Sequence, residues 1–362
     1  MVPNNSLIRS FEMHKDEYEA KAIEVMRSGW YILGKEVVAF EEEFAASVGS
    51  KHCIGVDNGL NAIVLGIKAL DIGAGDEVIV AANTYIATVL GVSLNKATPV
   101  FVDADEYHNI DPNKIEKAIT PKTKAVLVTH FYGHACRMDK IKEICDSYGI
   151  ALLEDCAQAH GAECCGKQVG TWGLMGFFSF YPTKNLGGFG DGGAVTTDDD
   201  ALDQKLRALR NYGSIRRYEN DYEGHNSRLD ELQAGLLRVK LKYLSDITDE
   251  RRSIANRYMT EISNPKVEFP RTASGCTHVY HLFVVQVEDR DGFRKHLAEH
   301  GVSTDVHYPV PPYLAKPYTH LGYTREDFPM TERLYSRIVS IPIFTGMTRE
   351  EQDQVIAAIN CY

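Results

Sequence analysis

From residue 52 to about residue 200 the chain alternates short, continuous apolar runs with amphipathic ones, and this alternation restricts the fold more than any other feature. Ile54-Gly55-Val56 leads into a helical pattern from about Gly59 to Leu70, and Glu77-Val78-Ile79-Val80 into another near Thr84 to Leu94. Pro99-Val100-Phe101-Val102 precedes a helix opening at Asp111-Pro112, where aspartate caps and proline takes the first turn. Ala125-Val126-Leu127-Val128 is followed by a helix over about Met138 to Tyr148, and Ile150-Ala151-Leu152-Leu153 ends in Glu154-Asp155. Strands apolar at every position are buried on both faces, so the pattern predicts an α/β fold, a mainly parallel sheet sandwiched by helices. A ligand of such a sheet lies at the carboxyl ends of its strands.

Beyond residue 200 the pattern changes. Long helices over about Asp199–Arg210, Asp230–Tyr243 and Ile247–Ile262 are followed by a strand from Val279 to Val287 and a helix from Asp289 to His300. A strand over Val302–Val306 and a last helix over Arg349–Ile359 complete a smaller α+β unit. At 362 residues the chain exceeds one ordinary core. The expected division is a large domain with the N-terminal segment over 1–245 and a small C-terminal domain over 246–362. No low-complexity linker separates them, which predicts tight packing.

The formal net charge of -11 argues against nucleic acid or an anionic membrane as partner, while leaving room for a small anion held by local donors. The longest uncharged run, Val78 to Asn95, carries Asn83, Thr84, Tyr85, Thr88 and Ser93 and reads as a strand followed by a helix, not a membrane span. Met1 to Lys15 shows no secretory signal. The eight cysteines include no C-x-x-C pair and read as reduced thiols of a cytoplasmic protein. His130 and His134 are four apart, but Phe131, Tyr132 and Gly133 between them suggest a strand end and loop, so no metal site is expected.

The chemistry centres on Lys184. Between Gly173 and Gly190 it is the one charged side chain, set among Phe177, Phe178, Phe180 and Leu186 and a run of glycines. Most lysines are solvated. One in apolar surroundings is biased toward the neutral, nucleophilic amine that forms a Schiff base. Asp155 ends a buried strand, where a carboxylate needs a partner: a cationic ring nitrogen, a structural arginine or a helix to cap. Gln158 and His160 follow in a loop close enough to join it. Asp57-Asn58-Gly59 lies between a strand and a helix, where free backbone N–H groups suit a phosphate, although a plain helix cap has the same sequence. Ser179 adds a hydroxyl, and Tyr85 starts a helix as core residue or stacking platform. Gly188-x-Gly190-x-x-Gly193 matches the dinucleotide fingerprint in letters alone; the following Ala194-Val195-Thr196-Thr197 reads as a strand where that fingerprint needs a helix. A lysine, a carboxylate for a pyridinium nitrogen, a helix start for a phosphate and an aromatic for a ring together meet the needs of pyridoxal phosphate.

The chain also resembles a known family nearly end to end: the sugar aminotransferases of the DegT/DnrJ/EryC1/StrS group, with the fold type I aminotransferase architecture. The resemblance rests on Asp57-Asn58-Gly59-Leu60, the segment from Glu154 to Gly161 reading EDCAQAHG, the Ser179 to Gly193 segment, and Asn226 to Gln233 reading NSRLDELQ. It implies that Lys184 carries the Schiff base, that Asp155 faces the pyridine nitrogen and that Gln158 lies on the phenolic oxygen side. By the same resemblance Gly59, Leu60 and Ser179 hold the phosphate and Tyr85 stacks on the ring. Asn226 would reach the phosphate of a neighbouring subunit, which implies a homodimer with shared active sites. His307 and Tyr308, with Pro309, resemble a substrate-side loop; Tyr181 and Tyr31 are further substrate-contact expectations. Trp30, Arg216 and Arg217 are considered with Tyr31 for the nucleotide.

The pattern SFYPxKNLGxxGDGG looks most like the branch that aminates C-3 of dTDP-linked 3-keto-6-deoxyhexoses, with glutamate as donor. A UDP-linked 3-keto sugar, a 4-keto sugar and a dehydratase of the same family are the alternatives. The dehydratase has histidine in place of the lysine that stands here at 184. A regulatory binding protein on the same fold is disfavoured by the intact set Asp155, Gln158, Ser179 and Lys184, and a nicotinamide enzyme by the strand after Gly193.

Overall fold

The computed structural model describes every residue except 217. Three helices precede the sheet: α1 (Leu7–Glu12), α2 (Lys15–Ser28) and α3 (Lys35–Val48). Then come β1 (His52–Val56), β2 (Glu77–Ala81), β3 (Thr98–Val102), β4 (Thr123–Thr129) and β5 (Ala151–Asp155). A short hairpin of β6 (Glu163–Cys164) and β7 (Lys167–Gln168) is followed by β8 (Met175–Ser179) and β9 (Gly193–Thr197). The connecting helices are α4 (Gly59–Ala69), α5 (Ile86–Ser93), α6 (Pro112–Ala118) and α7 (Met138–Tyr148), with α8 (Asp200–Leu209) after the last strand.

Seven strands form one sheet in the order β1-β9-β8-β5-β4-β2-β3. The contacts among β8, β5, β4, β2 and β3 are parallel, and β9 runs antiparallel to both its neighbours. Strand alternation sends each apolar run to two cores. Ile79, Val126, Val128 and Phe178 pack with Phe40 and Phe44 of α3 on one face. Val78, Val80, Leu127, Leu153 and Phe177 pack with Leu65 and Val89 of α4 and α5 on the other. The continuous apolar strands read from the sequence are therefore covered on both sides.

The last part of the chain contains a small ribbon of β10 (Ser214–Arg216) and β11 (Glu219–Asn220), then α9 (Glu231–Leu241) and α10 (Leu244–Glu261). After these, β12 (Phe283–Gln286), α11 (Arg290–Glu299), α12 (Pro329–Arg337), β13 (Ile338–Ile341) and α13 (Arg349–Asn360) complete the fold. Ile254, Tyr258, Phe283, Val285, Phe293, Val339 and Val355 form a third core, joined by Val2 from the N-terminus. Tyr313, Tyr318 and Phe328 instead join the core on one face of the large sheet.

Two strands expected here differ. The run Val279–Val287 is a strand over 283–286 alone. Its first part is a loop anchored by Val279 N–H to Gly133 O at 2.8 Å and Leu282 N–H to Tyr132 O at 3.3 Å. The run Val302–Val306 makes two isolated bridges, Val2 with Val302 and Asp305 with Ser340. β13 holds the Asp305 end of the run at Ser340 and pairs along its length with β12, in antiparallel register. Helices α1 to α3, α12 and strand β13 had no counterpart in the sequence reading.

Buried Glu231, at the start of α9, ties α3 to α9. Its carboxylate accepts the N–H groups of Gly34 (2.7 Å), Glu36 (2.9 Å) and Val37 (2.9 Å), the first-turn donors that α3 cannot satisfy itself. Glu231→Ala leaves these donors unpaired and is expected to lower unfolding free energy by about 3 kcal/mol. A urea titration reads this as a lower midpoint at unchanged slope.

Candidate active site

A cavity of about 650 Å³ opens where the carboxyl end of β5 meets the starts of α4 and α5 and the segment after β8. Gly59, Leu60, Tyr85, Asp155, Gln158, Ser179, Tyr181, Lys184, His307 and Tyr308 all line it. Residues from five separate stretches of sequence thus converge on one cavity at the strand ends of a parallel sheet. Asn226 and Tyr31 lie outside it. Asn226 bridges to Asn211, and Tyr31 is largely exposed with its hydroxyl donating to Met26 O at 3.0 Å. Trp30 and Arg216 are also exposed and outside the cavity, and Arg217 is outside the described residues.

Asp155 is the last residue of β5 and is buried. Its Oδ2 accepts from the Thr88 hydroxyl at 2.6 Å and its Oδ1 from the Ala157 N–H at 3.1 Å. Burial pushes its pKa up; the two donors and the positive charge of Lys184 oppose the shift. Thr88 is held in turn by Thr84, whose hydroxyl donates to it at 2.8 Å. The neighbour Glu154 points to the opposite face, as alternation demands, and accepts the N–H groups of Gly170 and Gly173, each at 2.8 Å.

Burial lowers Lys184 from 10.5 to about 8, partly countered by the Asp155 carboxylate. The shift raises the fraction of neutral amine, the state a nucleophile needs, many-fold over that of a solvated lysine. Lys240, which is buried, is lowered to about 8 by burial. With both lysines free, the unfolded chain binds more protons than the folded one between about pH 8 and 10.5, so stability rises with pH across that window. Lys184→Met is expected to reduce this rise and leave the Lys240 share; urea midpoints at the two pH limits measure it.

At the start of α4, Asn58 caps the helix by accepting Asn61 N–H at 2.8 Å, the plain cap that the sequence allowed. Asp57 turns away, bound by Asn61 Nδ2 at 2.8 Å and by the Ser227 hydroxyl. Gly59 and Leu60 are the first two helical residues, whose N–H groups precede the intrahelical pattern. A Cβ on Gly59 would lie 2.6 Å from Ser179 Cβ, and one on Gly193 would lie 2.4 Å from the Asn58 carbonyl carbon. The helix start is therefore pressed against the ends of β8 and β9, beside the Ser179 hydroxyl. This accounts for Gly193, the last glycine of the false dinucleotide pattern and the first residue of β9, whereas a Cβ on Gly188 or Gly190 would meet the Gln233 side chain.

Gln158 is oriented by Tyr132 N–H, which donates to its Oε1 at 2.7 Å. Tyr85 faces Tyr308, with ring centroids 4.7 Å apart at 35°. His160 does not reach the cavity and is buried beside the rings of Phe178 and Phe180. Several lining residues went unread in the sequence: Asn4, Asn5, Thr183, Asp191, His281 and Asp305, besides Thr88 behind Asp155. Thr88 carried a usable signal, one turn beyond Tyr85 at a helix start. Thr183 and Asp191 lie within the marked Ser179 to Gly193 segment, while Asn4, Asn5, His281 and Asp305 come from segments with no local pattern pointing inward.

The layered sheet with a half-buried lysine near a buried carboxylate at its strand ends is the aminotransferase fold. The chain matches the solved structure of S. venezuelae DesV in complex with a ketimine intermediate at a TM-score of 0.97 and 43% identity, covering 99% of this chain and 97% of that one. From residue 12 to 360 it matches the DegT/DnrJ/EryC1/StrS aminotransferase family, and it belongs to that family. The dTDP-3-amino-3,6-dideoxy-alpha-D-galactopyranose transaminase of Aneurinibacillus thermoaerophilus is 50% identical over 100% of this chain and 99% of its own length. NtdA of Bacillus subtilis, solved with bound cofactor PMP, is 31% identical at a TM-score of 0.93, covering 99% of this chain and 84% of that one.

Proposed function

We propose that the protein is a pyridoxal phosphate-dependent transaminase that moves an amino group from glutamate to C-3 of a dTDP-linked 3-keto-6-deoxyhexose. The observation that carries this reading is the pairing of the Lys184 amine, lowered to about 8, with buried Asp155 in one cavity. The 50% identity to a dTDP-amino-sugar transaminase supports the substrate class.

The residues present fit the cofactor. Buried Asp155 has two donors and no arginine among its described partners, which suits a carboxylate reserved for a protonated ring nitrogen. The glycine cradle at Gly59, with the Leu60 N–H and the Ser179 hydroxyl, suits a phosphate. Tyr85 offers a ring face, and Gln158, fixed through its Oε1 and donating through its Nε2 to the Tyr308 hydroxyl at 3.5 Å, has a second amide N–H for the phenolic oxygen.

When bound, the cofactor supplies an electron-accepting ring that stores the amino group between two half-reactions. Lys184 would hold it through Nζ, and the same amine, placed in the cavity, would serve as the base and acid for the proton at the substrate carbon. Asp155 would hold a proton on the ring nitrogen. Tyr181, His307 and Tyr308 line the side on which the sugar enters.

In this reading the phosphate contact is completed by the partner subunit's Asn226, so the working unit is a homodimer in the cytoplasm. Among the described residues, no helix is long and apolar enough to cross a membrane. We also place the domain division near residue 245, with Val2 attached to the C-terminal core.

The test is the absorbance spectrum of the purified protein before and after glutamate. A visible cofactor band that bleaches, followed by its return on adding the dTDP-linked keto-sugar and not the UDP-linked one, supports the proposal. A band that survives glutamate rules out this donor. No band after adding pyridoxal phosphate overturns the role of Lys184.

A further inference from the structure

Three of the cysteines meet at the β6–β7 hairpin, away from the cavity just described. Cys164 is buried on β6, and Cys165 is exposed in the following turn. Cys276 arrives from a segment 112 residues further along the chain, with its Sγ 3.4 Å from that of Cys164. The two residues form an isolated antiparallel bridge, flanked by Cys165 N–H to Gly275 O at 2.6 Å and Thr277 N–H to Glu163 O at 2.8 Å.

That hydrogen-bond pattern places Cys164 and Cys276 opposite each other at a non-hydrogen-bonded site. Such pairs bring Cα atoms to about 4.5 Å, inside the range a disulfide spans. The other neighbouring pair is less suited. Cys164 and Cys165 sulfurs lie 3.9 Å apart, but joining them would close a ring through their own peptide bond, which is planar and normally trans.

We propose that Cys164 and Cys276 are an oxidisable dithiol that hydrogen peroxide converts to an intramolecular disulfide. The Cys276 S–H donates to the Cys164 sulfur, which favours the Cys164 thiolate and lowers its pKa. That thiolate attacks one peroxide oxygen, breaking the O–O bond and leaving a sulfenic acid and a first water after protonation. The Cys276 sulfur then attacks the Cys164 sulfur, forming the S–S bond and expelling a second water. Two thiols lose two electrons and two protons, and the peroxide takes them up.

The bond ties the hairpin that follows Asp155 and Gln158 to the segment that delivers His281 to the cavity. It also closes a loop of over a hundred residues, so the oxidised protein is the more stable form.

The experiment treats the full-length protein with hydrogen peroxide, removes the excess with catalase, and counts thiols after denaturation. The expected result is loss of two of the eight thiols, full recovery with dithiothreitol, and a linked peptide pair joining Cys164 to Cys276. Thermal unfolding should shift up by several degrees on oxidation and return on reduction. Cys276→Ser should lose the two-thiol change, and Cys165→Ser should keep it. A bond mapped to Cys164–Cys165 or between chains, a two-thiol loss that survives Cys276→Ser, or oxidation that dithiothreitol cannot reverse would each overturn the proposal. If Cys276→Ser fails to fold, the wild-type peptide map decides alone.

Discussion

Lys184→Ala is expected to reduce transamination by more than about 10⁴-fold, because one side chain serves as both covalent anchor and proton carrier. The same substitution removes a buried amine that burial already disfavours in its charged form, so it should not destabilise the fold. Turnover and stability therefore move independently. Single-turnover rates with glutamate, measured beside a urea midpoint equal to or above wild type at pH 7, test the claim. Residual turnover above about one part in a hundred would show that another group moves the proton, since a general base alone contributes about 10²-fold or more. A lower midpoint would show that Lys184 also supports the fold.

The second large effect lies at Asp155. Asp155→Asn keeps the shape and the Thr88 contact but removes the charge that holds a proton on a ring nitrogen. The expected loss in kcat/KM is about 10³-fold, the scale of a preorganised charge facing a reacting group. The variant should also lower the Lys184 pKa below its present value, since the Asp155 carboxylate is what opposes the burial effect. Thr88→Val is the graded companion. It strips one donor from the carboxylate, for an expected loss of about tenfold, or ~1.4 kcal/mol, and Thr88→Ser should restore most of it. Equal losses for Asp155→Asn and Thr88→Val would mean that Asp155 is chiefly structural.

Much of the fold was legible because its signals are local. Each strand from β1 to β5 is a short apolar run with a turn or cap at its end, and the sheet class follows from that pattern alone. The run at Val279–Val287 was harder. Its apolar residues read as one strand, yet the first four are drawn into a loop by backbone contacts to Tyr132 and Gly133, residues nearly 150 positions earlier. Strand β13 is four residues long and directly follows a helix, too short for periodicity to register.

By itself the sequence determined the mainly parallel sheet and the falsity of the glycine fingerprint, and it marked Lys184, Asp155 and the helix start at Gly59 as candidates for the site. All of these rest on residue type and near neighbours. Only the tertiary structure decided that Thr88 supports Asp155, that Asn4, His281 and Asp305 share the cavity, that Tyr31 and Asn226 stand outside it, and that Cys164 meets Cys276. Capping, strand burial and lysine desolvation depend on interactions within a few residues. Contacts between distant segments depend on how three separate hydrophobic cores pack at once, and no short stretch of sequence encodes that sum.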